Sequence, residues 1–120
     1  MDRARFIEHN GVRIVYLDFS DCTTEEAKEV IDEAKPLIRK EPLKSVLTLT
    51  YTDGGRFDGE VISALKEFTK GNEPYVKAAA VVGITGLQKI VLDAVSFFSS
   101  RGFATFDEAE KAKDYLITFA

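Results

Sequence analysis

Gly83-Ile84-Thr85-Gly86 lies between a small-residue apolar run, Ala78 to Val82, and an amphipathic run that opens at Leu87. A glycine-bearing turn from strand to helix can seat a phosphate, because the amides of a helix N-terminus point at whatever stands there. The spacing fits neither common phosphate loop. A dinucleotide fingerprint needs GxGxxG and a nucleotide-triphosphate loop needs GxxxxGK followed by Ser or Thr, whereas this stretch has only Gly83, Gly86 and Lys89. The preferred reading is therefore a tight turn in which Thr85 caps the helix and the glycines let the chain bend.

A second glycine-bearing loop, Thr52-Asp53-Gly54-Gly55-Arg56, follows an alternating run that ends at Tyr51. In an open parallel sheet the loops at the carboxyl ends of adjacent strands form the usual ligand crevice, so these two loops are expected to meet. Arg56 and Lys89 would bring positive charge to that edge. The candidate ligand or partner site is Thr50, Thr52, Asp53, Gly54, Gly55, Arg56, Gly83, Thr85, Gly86 and Lys89.

Other chemistries find less support. His9 is the sole histidine and stands beside a turn, so no His-based metal set exists, and a Ser-His or Cys-His nucleophile would need it to fold back across the sheet. Cys22 reads as a half-buried small residue in a loop. Asp53 with Asp58, or Glu25 with Glu26, could be an acid and a base, but each has a simpler role in a turn or at a helix start. No catalytic constellation, metal site or cofactor is expected.

The elements that would position these residues are legible along the chain. RFIEH and VRIVYLDF flank Asn10-Gly11, the dipeptide that best tolerates a type I′ turn, which predicts an N-terminal hairpin. Thr23-Thr24-Glu25-Glu26 is a capping box, and Ala27, Val30, Ile31, Ala34, Leu37 and Ile38 recur at helical spacing behind it. Pro36 predicts a bend or an early stop near Lys35. SVLTLTY alternates, predicting a strand with Leu47, Leu49 and Tyr51 on a helix-covered face and Thr48 and Thr50 on a polar or lightly covered one. Asp58 is expected to cap a helix with Val61, Ala64, Leu65 and Phe68 inward, ended by Gly71. Ala78 to Val82, apolar without alternation, reads as a central strand. A helix from Thr85 to a stop at Gly102 follows, then the strand FATF and a last helix capped by Asp107, with Ala109, Ala112 and Leu116 inward.

The predicted order is ββαβαβαβα: an α/β fold with an antiparallel hairpin and a mostly parallel five-stranded sheet, in one domain spanning 1–120. In the helix after Thr85, Leu87, Ala94 and Phe98 centre the buried stripe. Leu92, Val95 and Phe97 lie at its edges or outside it, a candidate hydrophobic or homodimer surface.

Composition narrows the function classes. With 45% apolar residues among 120 the chain can build a core, and a formal charge of -4 is the wrong sign for a non-specific nucleic-acid binder. No apolar run is long enough for a membrane span. One cysteine and an N-terminus, MDRARFIEHN, without a long apolar segment point to a cytoplasmic protein.

NEPYVKAAAVVGITGLQKIV, SRGFATFDEAEKAKDYLI and TDGGRF, in this order of elements, resemble the SpoIIAA-like proteins, small relatives of the STAS domain of anti-sigma-factor antagonists and anion-transporter tails. The resemblance covers nearly the whole chain. It implies a non-enzymatic module for signalling or ligand binding, with an unidentified protein partner or small molecule. Signalling members carry Asp-Ser-Ser/Thr-Gly, with a phosphorylated serine, at the start of the second helix. The matching stretch here is Thr52-Asp53-Gly54-Gly55, with Gly54 at the phosphorylated position, so Thr50 and Thr52 are the neighbouring hydroxyls that could stand in. The fold also resembles that of CRAL-TRIO lipid carriers, which implies as an alternative a carrier or sensor of a lipid-like or anionic small molecule. A small enzyme is the more distant alternative.

Overall fold

The structure, a computed structural model, describes residues 3–52, 54, 58–83 and 104–120. Its strands are β1 (Ala4–His9), β2 (Val12–Asp18), β3 (Val46–Tyr51), β4 (Val76–Val82) and β5 (Ala104–Phe106), and its described helices are α1 (Thr24–Arg39), α2 (Gly59–Asn72) and α3 (Ala109–Ile117). The five strands form one mixed sheet in the order β1-β2-β3-β4-β5. Only the β1–β2 pairing is antiparallel; β2, β3, β4 and β5 pair in parallel. The expected hairpin is present, with Asn10 and Gly11 at φ 51° and 80° and His9 opposite Val12.

Two apolar layers sandwich the sheet. Val15, Leu17, Val46 and Ala79 meet Ala27, Val30, Ile31, Ala34 and Ile38 of α1 and Val61 and Phe68 of α2 on one face. Ile14, Leu47, Leu49, Ala78, Ala80 and Val82 meet Ala112 and Leu116 of α3 on the other. The helices are thus not confined to the Leu47 and Leu49 face as the sequence suggests. The face of Thr48 carries α1 and α2, because two successive crossovers of the same hand in a sequential sheet place both helices on one side. Thr48 is accordingly only 7% exposed.

Three local expectations are corrected. Pro36 does not stop α1, which runs on to Arg39. The one amide bond that Pro36 removes would have ended on the carbonyl of Asp32, an exposed residue where water can replace it. Gly71 lies inside α2 rather than ending it. A Cβ there would stand 2.3 Å from a terminal nitrogen of Arg39, whose Nε donates to Asn72 Oδ1 at 3.1 Å, so the glycine admits a crossing side chain from α1. Glu108, not Asp107, takes the N-cap position of α3, and without a side-chain cap bond. By contrast, Thr23 forms the full capping box of α1 with Glu26, and Asp58 caps α2 by accepting from the Val61 amide at 3.0 Å. The helix expected from Thr85 to Gly102, with Leu92, Val95 and Phe97, lies outside the described residues.

Candidate functional site at the carboxyl edge of the sheet

The four parallel strands end at one edge, and the loops leaving them are tied to one another. After β2 the chain turns through Asp18-Phe19-Ser20-Asp21-Cys22. Asp18 Oδ1 accepts from the Ser20 amide at 2.9 Å and from its hydroxyl, an Asx-type turn. The Phe19 amide donates to Tyr51 O at 2.8 Å, which carries the β2–β3 ladder one residue beyond the strands. Phe19 and Cys22 are 1% and 2% exposed, so the loop is anchored from beneath.

Arg3 holds this loop from the β1 side. Its guanidinium donates to Ser20 O at 2.8 Å, to Cys22 Sγ at 3.2 Å and more weakly to Asp18 O at 3.4 Å, and it lies 3.5 Å from Glu26. Burial pushes the Cys22 thiol above its ordinary pKa, with the Arg3 charge opposing. Cys22 is therefore a structural thiol, as its sequence context suggests.

After β3 comes Thr52, 4% exposed, whose amide and hydroxyl both donate to Val82 O, each at 3.0 Å. Its side chain thus locks β3 to β4 instead of facing a partner. Thr50, two residues back in β3, is half-buried between Leu17 and Val81. Gly54 is exposed with φ 74°, and a Cβ on it would fall 2.1 Å from Asp21 Oδ1. Only glycine satisfies both the left-handed backbone and that close approach. After β4, Gly83 has φ 87° and donates its amide to Phe106 O at 3.2 Å, which continues the β4–β5 pairing by one residue. Asp53, Gly55, Arg56, Thr85, Gly86 and Lys89 lie outside the described residues.

Both described crossover helices, α1 and α2, also begin at this edge. Thr24 Oγ1 in the first turn of α1 donates to Asp58 Oδ2, the cap of α2, and Lys28 pairs with Glu60 at 3.2 Å. The Thr24 hydroxyl and the Val61 amide hold the Asp58 carboxyl below its usual pKa, and hydrogen bonds from Thr23 do the same for Glu26. The positive ends of both helices are thus already met by the chain's own carboxylates. Among the described residues this edge gathers Asp18, Asp21, Glu25, Glu26, Asp58 and Glu60 against Arg3 and Lys28, more carboxylates than cations. Among those residues, no group of three or more His, Cys, Asp or Glu could hold a metal ion.

The site that sequence reasoning outlined at Thr52, Gly54 and Gly83 is thus one edge, but the contacts that organise it come from residues it passed over. The Asp18-Phe19-Ser20 spacing is an Asx-turn signal that could have been read. Nothing local marks Arg3, whose partners lie 15 to 23 residues away.

No family model matches the chain, and no curated protein matches its sequence. In three dimensions it is similar to an uncharacterised protein of the DUF3478 family from Shewanella loihica PV-4, a crystal structure at 2.25 Å resolution described as having a SpoIIAA-like fold. The TM-score is 0.75 at 12% identity, over 94% of this chain and 91% of that one. The fold of this protein is SpoIIAA-like. Among the described residues no helix is long and apolar enough to cross a membrane.

Proposed function

We propose that the chain is a single-domain, non-enzymatic cytoplasmic module of STAS type that engages a protein partner at the carboxyl edge of its sheet. The observation that carries this reading is the close approach of Gly54 to the Asp21 carboxylate, which brings the loops after β2 and β3 together at an exposed point beside the starts of α1 and α2. The acidic character of the described edge favours a partner with a cationic face, since opposed potentials steer encounter and set register. The burial and internal bonding of Thr52 argue against it as a phosphate acceptor in the folded state and leave Thr50 as the nearer candidate.

The test is affinity capture from the native host with immobilised wild-type protein, Asp21→Lys and Leu43→Ser, followed by mass spectrometry. Leu43 is exposed at the other end of the sheet. A protein retained by wild type and Leu43→Ser but lost with Asp21→Lys is the expected result. Equal retention by all three, or loss only with Leu43→Ser, would defeat the reading.

A further inference from the structure

β1 is the outer strand on one side of the sheet, and its edge carries none of the usual backbone devices that close one. It pairs with β2 at every residue from Ala4 to His9 without a register shift, and it contains no proline. Sheet edges are commonly blunted by a very short strand, a proline or a bulge, and β5 on the opposite side is a three-residue strand of that kind. Arg5 leans inward from β1, its guanidinium 4.8 Å from the centroid of the Tyr16 ring in β2.

The hairpin decides which backbone groups of β1 face outward. His9 pairs with Val12 across a two-residue turn, and the Asp18 amide donates to Arg3 O at 2.8 Å, so the odd-numbered residues of this strand bond to β2. The N–H and C=O groups of Ala4, Phe6 and Glu8 therefore point away from the sheet, and among the described residues no other segment bonds to them.

The helix above that edge adds a charge pattern. α1 covers the side of the sheet to which Phe6 and, two residues on, Glu8 point. Thr24 and Lys28 turn one flank of α1 toward α2, whereas Glu26, 3.5 Å from Arg3, turns the other toward β1. Glu33 follows Glu26 after about two turns on the β1 flank, with Glu29 beside it and Lys40 about two turns further on. Arg3 meets Glu26, and Arg13, opposite Glu8 in the ladder, meets Glu41. Among the described residues Glu8, Glu29 and Glu33 form no ion pair, and Lys40 is the remaining cation on their side.

We infer that the outer edge of β1 accepts an extended segment of a partner protein as a sixth strand, with basic side chains at alternate positions facing Glu8, Glu29 and Glu33. Main-chain bonds to Ala4, Phe6 and Glu8 supply the pairing, and because successive side chains of a strand point to opposite sides, every second residue meets the carboxylates. A second copy of β1 fits less well, since pairing about a two-fold axis would bring the Glu33 flanks of two α1 helices together, like charge against like. The edge is distinct from the loops at the carboxyl ends of β2, β3 and β4, and the inference does not rest on the reading given to them.

The test is an NMR titration and hydrogen-exchange measurement on the isotope-labelled protein with a blocked heptapeptide alternating Lys and Val. At saturation the peptide is expected to shift the amides of Ala4, Phe6 and Glu8 and to slow their exchange at least about tenfold. A heptapeptide alternating Glu and Val, and the Lys-Val peptide with every amide N-methylated, should each bind at least about tenfold more weakly, the first for its charge and the second for want of backbone donors. Glu8→Pro removes one outward N–H without touching a bond to β2 and should weaken binding about fivefold. Glu33→Gln should weaken it about twofold, and Asp21→Lys at the carboxyl edge should leave it unaltered. The N-methylated peptide tests backbone pairing on the unaltered protein, whatever Glu8→Pro does to the fold. Equal binding of the N-methylated or the Glu-Val peptide, unaltered affinity in Glu8→Pro, shifts confined to Asp21, Gly54 and Gly83, or a linear response without saturation would each overturn the proposal. So would protection of Ala4, Phe6 and Glu8 that rises with protein concentration in the absence of peptide, since a second copy would then hold the edge.

Discussion

Thr24 and Asp58, 34 residues apart in sequence, join the first turn of α1 to the cap of α2 by a hydroxyl-to-carboxylate hydrogen bond. The same carboxylate accepts the Val61 amide, so one side chain both starts a helix and ties two helices together. Its bonds favour the ionised form, and its pKa is lowered in the folded protein. The stability it contributes is present above the unfolded value, near 3.9 for an aspartate, and is lost as pH falls through the lower folded value. Asp58→Asn can still cap but has no proton to gain in this range. Thermal unfolding between pH 6 and pH 3 should therefore fall less steeply for Asp58→Asn than for wild type; parallel curves would show that the carboxylate does not matter.

Arg39 and Gly71 should be strongly coupled. In an ordinary helix interior Gly→Ala stabilises by about 1 kcal/mol. At position 71 the new methyl displaces the Arg39 guanidinium and strands Asn72, 4% exposed, without that donor. An unsatisfied buried polar group costs about 1–3 kcal/mol, so Gly71→Ala should be neutral to destabilising in wild type. In an Arg39→Ala background the same change should stabilise. Urea unfolding of the four proteins of the cycle measures this, and a favourable Gly71→Ala in both backgrounds would remove the argument.

Lys44→Gly should raise stability by about 0.5 kcal/mol, because relief of the left-handed backbone, at φ 57°, exceeds the entropy that glycine adds to the unfolded chain. A higher denaturation midpoint in urea is the expected result. A lower midpoint would mean that contacts of the Lys44 side chain outweigh its backbone strain.

Cys22 should react slowly with a thiol reagent in native buffer, since it is 2% exposed and its pKa is raised by burial. Arg3→Ala removes the donor that ties Ser20 O and Cys22 Sγ together and should speed labelling without unfolding the sheet. Labelling as fast in wild type as in urea would contradict the buried assignment.

Thr52→Val removes the hydroxyl bond to Val82 O while keeping the shape of the side chain. The expected loss is about 1 kcal/mol, the net value of a typical internal hydrogen bond. Thr52→Glu, which puts a charge at the same buried point, should unfold the β3–β4 junction and shift the midpoint far more. If Thr52→Glu were as stable as Thr52→Val, the site would be more open than its burial indicates.

The sequence by itself determined the features whose signals lie within a few residues. Asn10-Gly11 set the hairpin, Thr23 with Glu26 and Asp58 set two helix starts, and the Ala78 to Val82 run marked the strand buried on both faces. Each rests on backbone torsions or hydrogen bonds that a short segment decides alone. Tertiary structure alone decided that Thr48 is covered, that Pro36 is tolerated and that Gly71 makes room for Arg39 instead of ending a helix. It also decided which residues organise the candidate site: Arg3 on Ser20, Thr24 on Asp58 and Asp21 against Gly54. Such contacts join residues 17 to 34 positions apart, and their existence depends on the direction in which each crossover lays its helix over the sheet. No local propensity carries that information, because the energy of a long-range contact appears only after the chain has closed the loop between its partners.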